Sequence, residues 1–220
     1  MSLNPTHRGW TALVLSAALS TLPLAAAAES GSSSSNGLRF LAVGGSLSSW
    51  AYAAWRGAPL TDCKSARWQA RSQIARDKEL DLVSVGAAWG ECQMLALGDW
   101  NLSHQTSLSV GHWQARGQVS GASSAWDVAA VPLLHWQHAA FGGHKLEFEL
   151  GVGPAFLNQP EIGNRKKSTQ FQFSDHLGLN LVDGDGRWRL GLAWRHISNL
   201  DIQTPNNGVD YKGVTLAWTL

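Results

Sequence analysis

Along most of residues 81–220, apolar side chains recur at every second position. A period of two is the signature of extended strands with one apolar face. Leu146, Phe148, Leu150 and Val152 alternate with Glu147, Glu149, Gly151 and Gly153, and Phe171, Phe173, Leu177, Leu179 and Leu181 alternate with Ser174, His176, Gly178 and Asn180. Trp188, Leu190, Leu192 and Trp194 do the same against Arg189, Gly191, Ala193 and Arg195. Apolar side chains outward with charged or small ones inward suit a barrel surrounded by hydrocarbon; a soluble barrel reverses the polarity. Runs of this kind fall at 81–89, 93–101, 106–117, 124–137, 145–156, 169–181, 187–198 and 210–219, each of about 9 to 13 residues, enough to cross a bilayer when tilted. The expected fold is all-β: an eight-stranded antiparallel transmembrane β-barrel over 81–220. Eight strands leave an interior filled by side chains, which argues against a pore.

The rest of the chain fits an exported protein. Residues 1–28 have the form of a secretory signal, with His7 and Arg8 ahead of an apolar run and Ala26, Ala27 and Ala28 before Glu29. No later run of about 18 apolar residues follows, so membrane residence falls to strands. Only 15% of residues are charged while Trp numbers 12, a balance that favours a membrane interface. A net charge of +1 gives no electrostatic basis for binding nucleic acid. Residues 29–80 form an extension of unassigned structure: a Ser/Gly-rich spacer at 30–37, a strand-like run near 38–43, and a basic stretch at 64–78 that reads as a solvated segment in preference to an amphipathic helix. Cys63 and Cys92 enter an oxidising compartment, where they form either a disulfide or two separate thiols. Neither has the histidine neighbours of a metal ligand, and His112, His135, His138, His144 and His176 are scattered without ligand spacing. Asp183-Gly184-Asp185-Gly186 reads as a tight turn, not a calcium loop.

If the first strand leaves the periplasm, the turns at 101–105, 138–144 and 183–186 face the periplasm, and the longest connectors, 157–168 and 199–209, face outward. His196 and Ser198 then continue the apolar parity of their strand at its outer end, and Asp210 and Lys212 open the last strand in the same parity. Residues i and i+2 of a strand lie roughly 6.5 to 7 Å apart on one face. Imidazole is the usual base for a serine nucleophile, a carboxylate fixes its tautomer, and Asn199 is a candidate oxyanion donor. Asp201 is a rival acid, although its loop position suits a solvated turn carboxylate. Together these groups have the chemistry of an ester hydrolase.

His196-Ile197-Ser198-Asn199, then Pro205-Asn206-Asn207-Gly208 and Asp210, resembles the C-terminal signature of the outer-membrane lipid A 3-O-deacylase family; Phe173-Ser174-Asp175 and the Gly151-Val152-Gly153 strand extend the likeness loosely over 81–220. The resemblance implies a cofactor-independent, metal-free enzyme of the bacterial outer membrane that hydrolyses the ester-linked 3-hydroxyacyl chain at the lipid A 3-position. Ser198 would be nucleophile, His196 base, Asp210 acid and Asn199 a neighbour of the oxyanion. Two positions depart from the family pattern: Asp210 stands where the family has Glu, and Asp201 where it has Gly. Arg165, Lys166 and Lys167 in an outward loop are either a docking cluster for lipid A phosphates or ordinary solvated charges. A phospholipase or general lipid esterase, and a non-catalytic barrel serving adhesion or envelope integrity, are the competing functions. The sequence leaves the oligomeric state open, a homodimer included.

Overall fold

The computed structural model describes residues 33–58 and 67–220. The signal segment and Cys63 lie outside the described residues, while Cys92 is disulfide-bonded. Eight strands close into an antiparallel barrel: β1 (Gln69–Arg76), β2 (Leu80–Leu97), β3 (Trp100–Ala115), β4 (Ser124–Ala139), β5 (Lys145–Leu157), β8 (Phe171–Val182), β9 (Trp188–Ser198) and β10 (Val209–Thr219). Neighbours in sequence pair around the wall, and β1 pairs with β10 to complete it. Two short strands, β6 (Glu161–Ile162) and β7 (Arg165–Lys166), form a separate hairpin in the connector between β5 and β8.

The polarity is inside-out. Val83, Val85, Leu108, Val110, Trp126, Leu146, Phe148, Leu190, Leu192, Val214, Leu216 and Trp218 are exposed on the outer wall. Inside, Glu149 is paired with Arg71 at 2.8 Å and His135 at 3.2 Å, and Glu147 with Arg189 at 3.0 Å. Toward the end carrying the long connectors, buried Arg195 and Asp127 are paired, and Trp113 donates to Asp127 at 2.6 Å. Above them Leu80, Leu82, Trp113, Leu157, Ile162, Ile197, Val209 and Tyr211 form an apolar plug. The eight-stranded transmembrane barrel read from the alternation is therefore the observed fold.

The strand boundaries differ from expectation in three places. The run at 81–89 and residues 93–97 of the run at 93–101 are one strand, β2, whose register slips between Trp89 and Cys92 and again between Gln93 and Leu95. Gly90 supplies the positive φ of 72° at the first slip, so a bulge stands where a turn was expected. The first hairpin turn is at 98–99, and 101–105, predicted as a turn, lies within β3. The eighth strand, β1, comes from the basic stretch read as solvated, so the barrel begins at Gln69 and not at 81. Its inward Arg71 is a barrel-interior charge, and Ile74 is its one large apolar side chain on the wall, too little to reveal the period. The turns at 98–99, 140–144 and 183–187 share the end of the barrel that carries Gln69 and Thr219. The connectors 77–79, 116–123, 158–170 and 199–208 lie at the other end, as the long-connector argument required.

Upstream, residues 33–55 form one helix, α1 (Ser33–Trp55). It replaces both the strand-like run near 38–43 and the described part of the predicted spacer.

Removing one partner of a buried pair leaves an uncompensated charge, at a cost of roughly 3–5 kcal/mol. Asp127→Ala is expected to lower unfolding stability by that order in a urea titration of the refolded barrel. Asp127→Ala combined with Arg195→Leu is expected to lower it less.

Candidate active site

Trp194, His196 and Ser198 follow Leu190 and Leu192 on the outward parity of β9, at the end where the long connectors lie. In the β9–β10 ladder Asp210 is directly opposite His196, and Asp210 Oδ1 lies 2.9 Å from His196 Nδ1. With the carboxylate ionised, Nδ1 carries the proton and Nε2 is left as the basic nitrogen. Trp194 stacks near-parallel to the imidazole, with ring centroids 5.8 Å apart. Ser198 is fully buried, and among the described residues neither its Oγ nor His196 Nε2 has a hydrogen-bond partner. The structure thus forms the acid–base contact but leaves the base–nucleophile contact open; such contacts in free enzymes often tighten only with substrate. The shorter Asp side chain at 210 reaches the ring without the additional methylene of Glu.

The connector between β9 and β10 holds Ser198 and Asp210 in place. Asn199 donates through its backbone N–H to Asn206 Oδ1 at 3.0 Å, and through its side chain to Ser168 Oγ at 3.0 Å and the Gln203 carbonyl at 2.7 Å. These donors shape the loop, so the oxyanion role expected of Asn199 is not formed by them. Leu200 and Asp201 follow with φ of 56° and 58°, left-handed values that suit glycine best and that Asp tolerates through local hydrogen bonding. Asp201 accepts from Asn206 at 3.0 Å; the carboxylate in contact with His196 is that of Asp210.

The expected cationic cluster separates. Lys167 is buried and donates to the carbonyls of Ile197 at 2.9 Å and Asn207 at 2.8 Å. Arg165 donates to the Gly208 carbonyl at 2.8 Å and pairs with Asp77 at 3.1 Å. Both therefore fasten the connector beside the site, and Lys166 alone of the three is exposed. Asp77, which the sequence reading passed over, also accepts from the Asp210 backbone N–H at 3.3 Å.

A second omission is Asp175. It lies on β8 opposite His196, in the outward parity between Phe173 and Leu177, and is fully buried. A carboxylate interrupting an apolar parity was the signal available in the sequence. His135, Glu147 and Glu149 have potential ligand atoms within 4.8 Å of one another inside the barrel. Arg71 and Arg189 already balance the two carboxylates, so the cluster is an ion-pair network.

As a whole the arrangement can activate a serine hydroxyl toward a carbonyl that arrives from the lipid side of the wall. A family model described as lipid A 3-O-deacylase (PagL) matches residues 83–219, leaving α1 and β1 ahead of the match. The lipid A deacylase PagL of Bordetella bronchiseptica is 29% identical over 122 residues, 55% of this chain and 65% of that relative's own length. The chain therefore spans just under two thirds of that relative. The crystal structure of the outer membrane enzyme PagL superposes with a TM-score of 0.61 at 15% identity, over 69% of this chain and 99% of that one, a likeness of fold.

Asp210→Asn keeps the side-chain shape but offers Nδ1 no carboxylate, which in a serine triad costs several orders of magnitude in rate. Labelling of Ser198 by a long-chain alkyl fluorophosphonate is expected to slow by at least about a hundredfold in Asp210→Asn, on the same reasoning.

Proposed function

Since the chain belongs to the lipid A 3-O-deacylase (PagL) family, we propose that it is an outer-membrane esterase that removes the ester-linked 3-hydroxyacyl chain from the 3-position of lipid A. The observation that carries this reading is the His196–Asp210 contact of 2.9 Å beside Ser198, on the lipid-facing parity of β9.

Ser198 Oγ attacks the ester carbonyl as His196 Nε2 takes its proton, and Asp210 stabilises the resulting imidazolium through Nδ1–H. The tetrahedral intermediate collapses, His196 protonates the departing sugar oxygen, and the 3-hydroxyacyl group stays on Ser198. Water, deprotonated by His196, then releases the fatty acid and restores the serine. No step uses a cofactor. Because the three groups point out of the barrel, the substrate's acyl chain stays in hydrocarbon while its ester reacts. The exposed Lys166 is the cation of the β6–β7 hairpin available to an anionic headgroup; Arg165 and Lys167 act by holding the connector.

Mass spectrometry of lipid A from Gram-negative cells producing the protein, beside cells producing equal amounts of folded Ser198→Ala, tests the reading. The expected result is loss of one 3-hydroxyacyl mass with the intact serine and none with the variant. Loss in both would move the nucleophile elsewhere, and chain loss from phospholipids in place of lipid A would reassign the substrate.

A further inference from the structure

α1 has the same inverted polarity as the barrel wall. Its buried residues Arg39, Ala42, Ser46, Ser49 and Ala53 recur every three or four positions, while Phe40, Leu41, Leu47 and Trp55 are exposed. A helix that buries small side chains and exposes large apolar ones is built to pack closely against protein within lipid. It does so on the outer wall. Ala53 packs with Met94, Leu102 and Leu134, and Trp136 donates to Ser49 Oγ at 3.0 Å. A Cβ at Gly45 would be 3.3 Å from Leu150 Cδ1. Toward the other end of the helix, Arg39 Nε lies 3.7 Å from Asp175 Oδ2, and Asp175 is the cross-strand neighbour of His196.

This bears on access to the site. Ser198 and His196 point outward yet are 0% and 5% exposed, so an acyl ester reaches Ser198 only if something withdraws. The barrel strands are tied by backbone ladders, and the β9–β10 connector is fastened by Asn199, Arg165 and Lys167. Among the described residues no backbone ladder ties α1 to the wall; close side-chain contacts, the Trp136–Ser49 hydrogen bond and the Arg39–Asp175 pair are among those that hold it there. Its apolar side meets hydrocarbon whether the helix is seated or displaced.

We infer that α1 is an intramembrane lid, latched by Arg39 on Asp175, whose withdrawal from the barrel wall opens the Ser198 site to lipid. The helix lies outside the family-matched region. The inference rests on the proposed function for the identity of the substrate, but not for the movement itself.

The test separates the two. The thiol introduced by Ser198→Cys is alkylated in lipid vesicles with a long-chain N-alkyl maleimide, alone and combined with Arg39→Glu or Gly45→Trp. Arg39→Glu sets two carboxylates against each other, and Gly45→Trp wedges the helix away from Leu150. Each barrel is first checked for folded, heat-modifiable gel mobility. The expected result is alkylation at least tenfold faster in both combinations, with faster lipid A hydrolysis when Arg39→Glu is made with the serine intact. Unchanged alkylation in both folded combinations overturns the lid, whatever happens to lipid A. Faster alkylation with lipid A untouched by either serine-containing protein supports the lid and overturns the deacylase reading.

Discussion

Hydrocarbon offers no hydrogen bonds, and that one constraint orders the molecule. Each backbone N–H and C=O at membrane depth needs a partner in the wall itself, which closure of β1 onto β10 provides. Charged side chains turn inward and find one another, as Arg71 with Glu149 and Arg189 with Glu147 do. On such a wall an outward polar side chain is costly unless its neighbours satisfy it. Asp175, His196, Ser198 and Asp210 are gathered on three adjacent strands, β8, β9 and β10, at one end of the barrel. The same inversion that makes the barrel a membrane protein makes this cluster its exception.

The chemistry depends on how firmly that exception is held. Cross-strand register, not a loop, brings Asp210 to His196, so the short Asp side chain reaches the imidazole. The connector then fixes the two strand ends: Asp77 receives the Asp210 N–H and the Arg165 guanidinium, while Lys167 reaches across to the Ile197 carbonyl. Cations beside the site invite a docking role, but hydrogen bonds and an ion pair tie Arg165 and Lys167 to the scaffold.

Features with a local cause were legible before the fold was known. Period-two alternation identified the wall from β2 to β10, and the shared parity of His196, Ser198 and Asp210 placed them together. What escaped notice depended on partners distant in sequence. β1 has a polar inner face that makes sense only beside Glu149 of β5, and Gly90 reads as a turn until β3 is seen pairing past the bulge. Asn199 has the right chemistry for an oxyanion donor, yet its N–H groups are engaged by Ser168, Gln203 and Asn206. The small residues of α1 have no soluble amphipathic pattern because the helix packs on a wall and faces lipid, so its segment was read as a spacer and a strand.

In the proposed reaction Ser198 takes the acyl chain from lipid A. Rapid mixing of the reconstituted protein with lipid A, acid quenching, proteolysis and mass spectrometry of the peptides tests it most directly. A 3-hydroxyacyl ester on the peptide that contains Ser198, appearing before free fatty acid and decaying as that product accumulates, is the predicted result. Turnover with the acyl group trapped on another residue, or with fatty acid released and Ser198 never acylated, would contradict it.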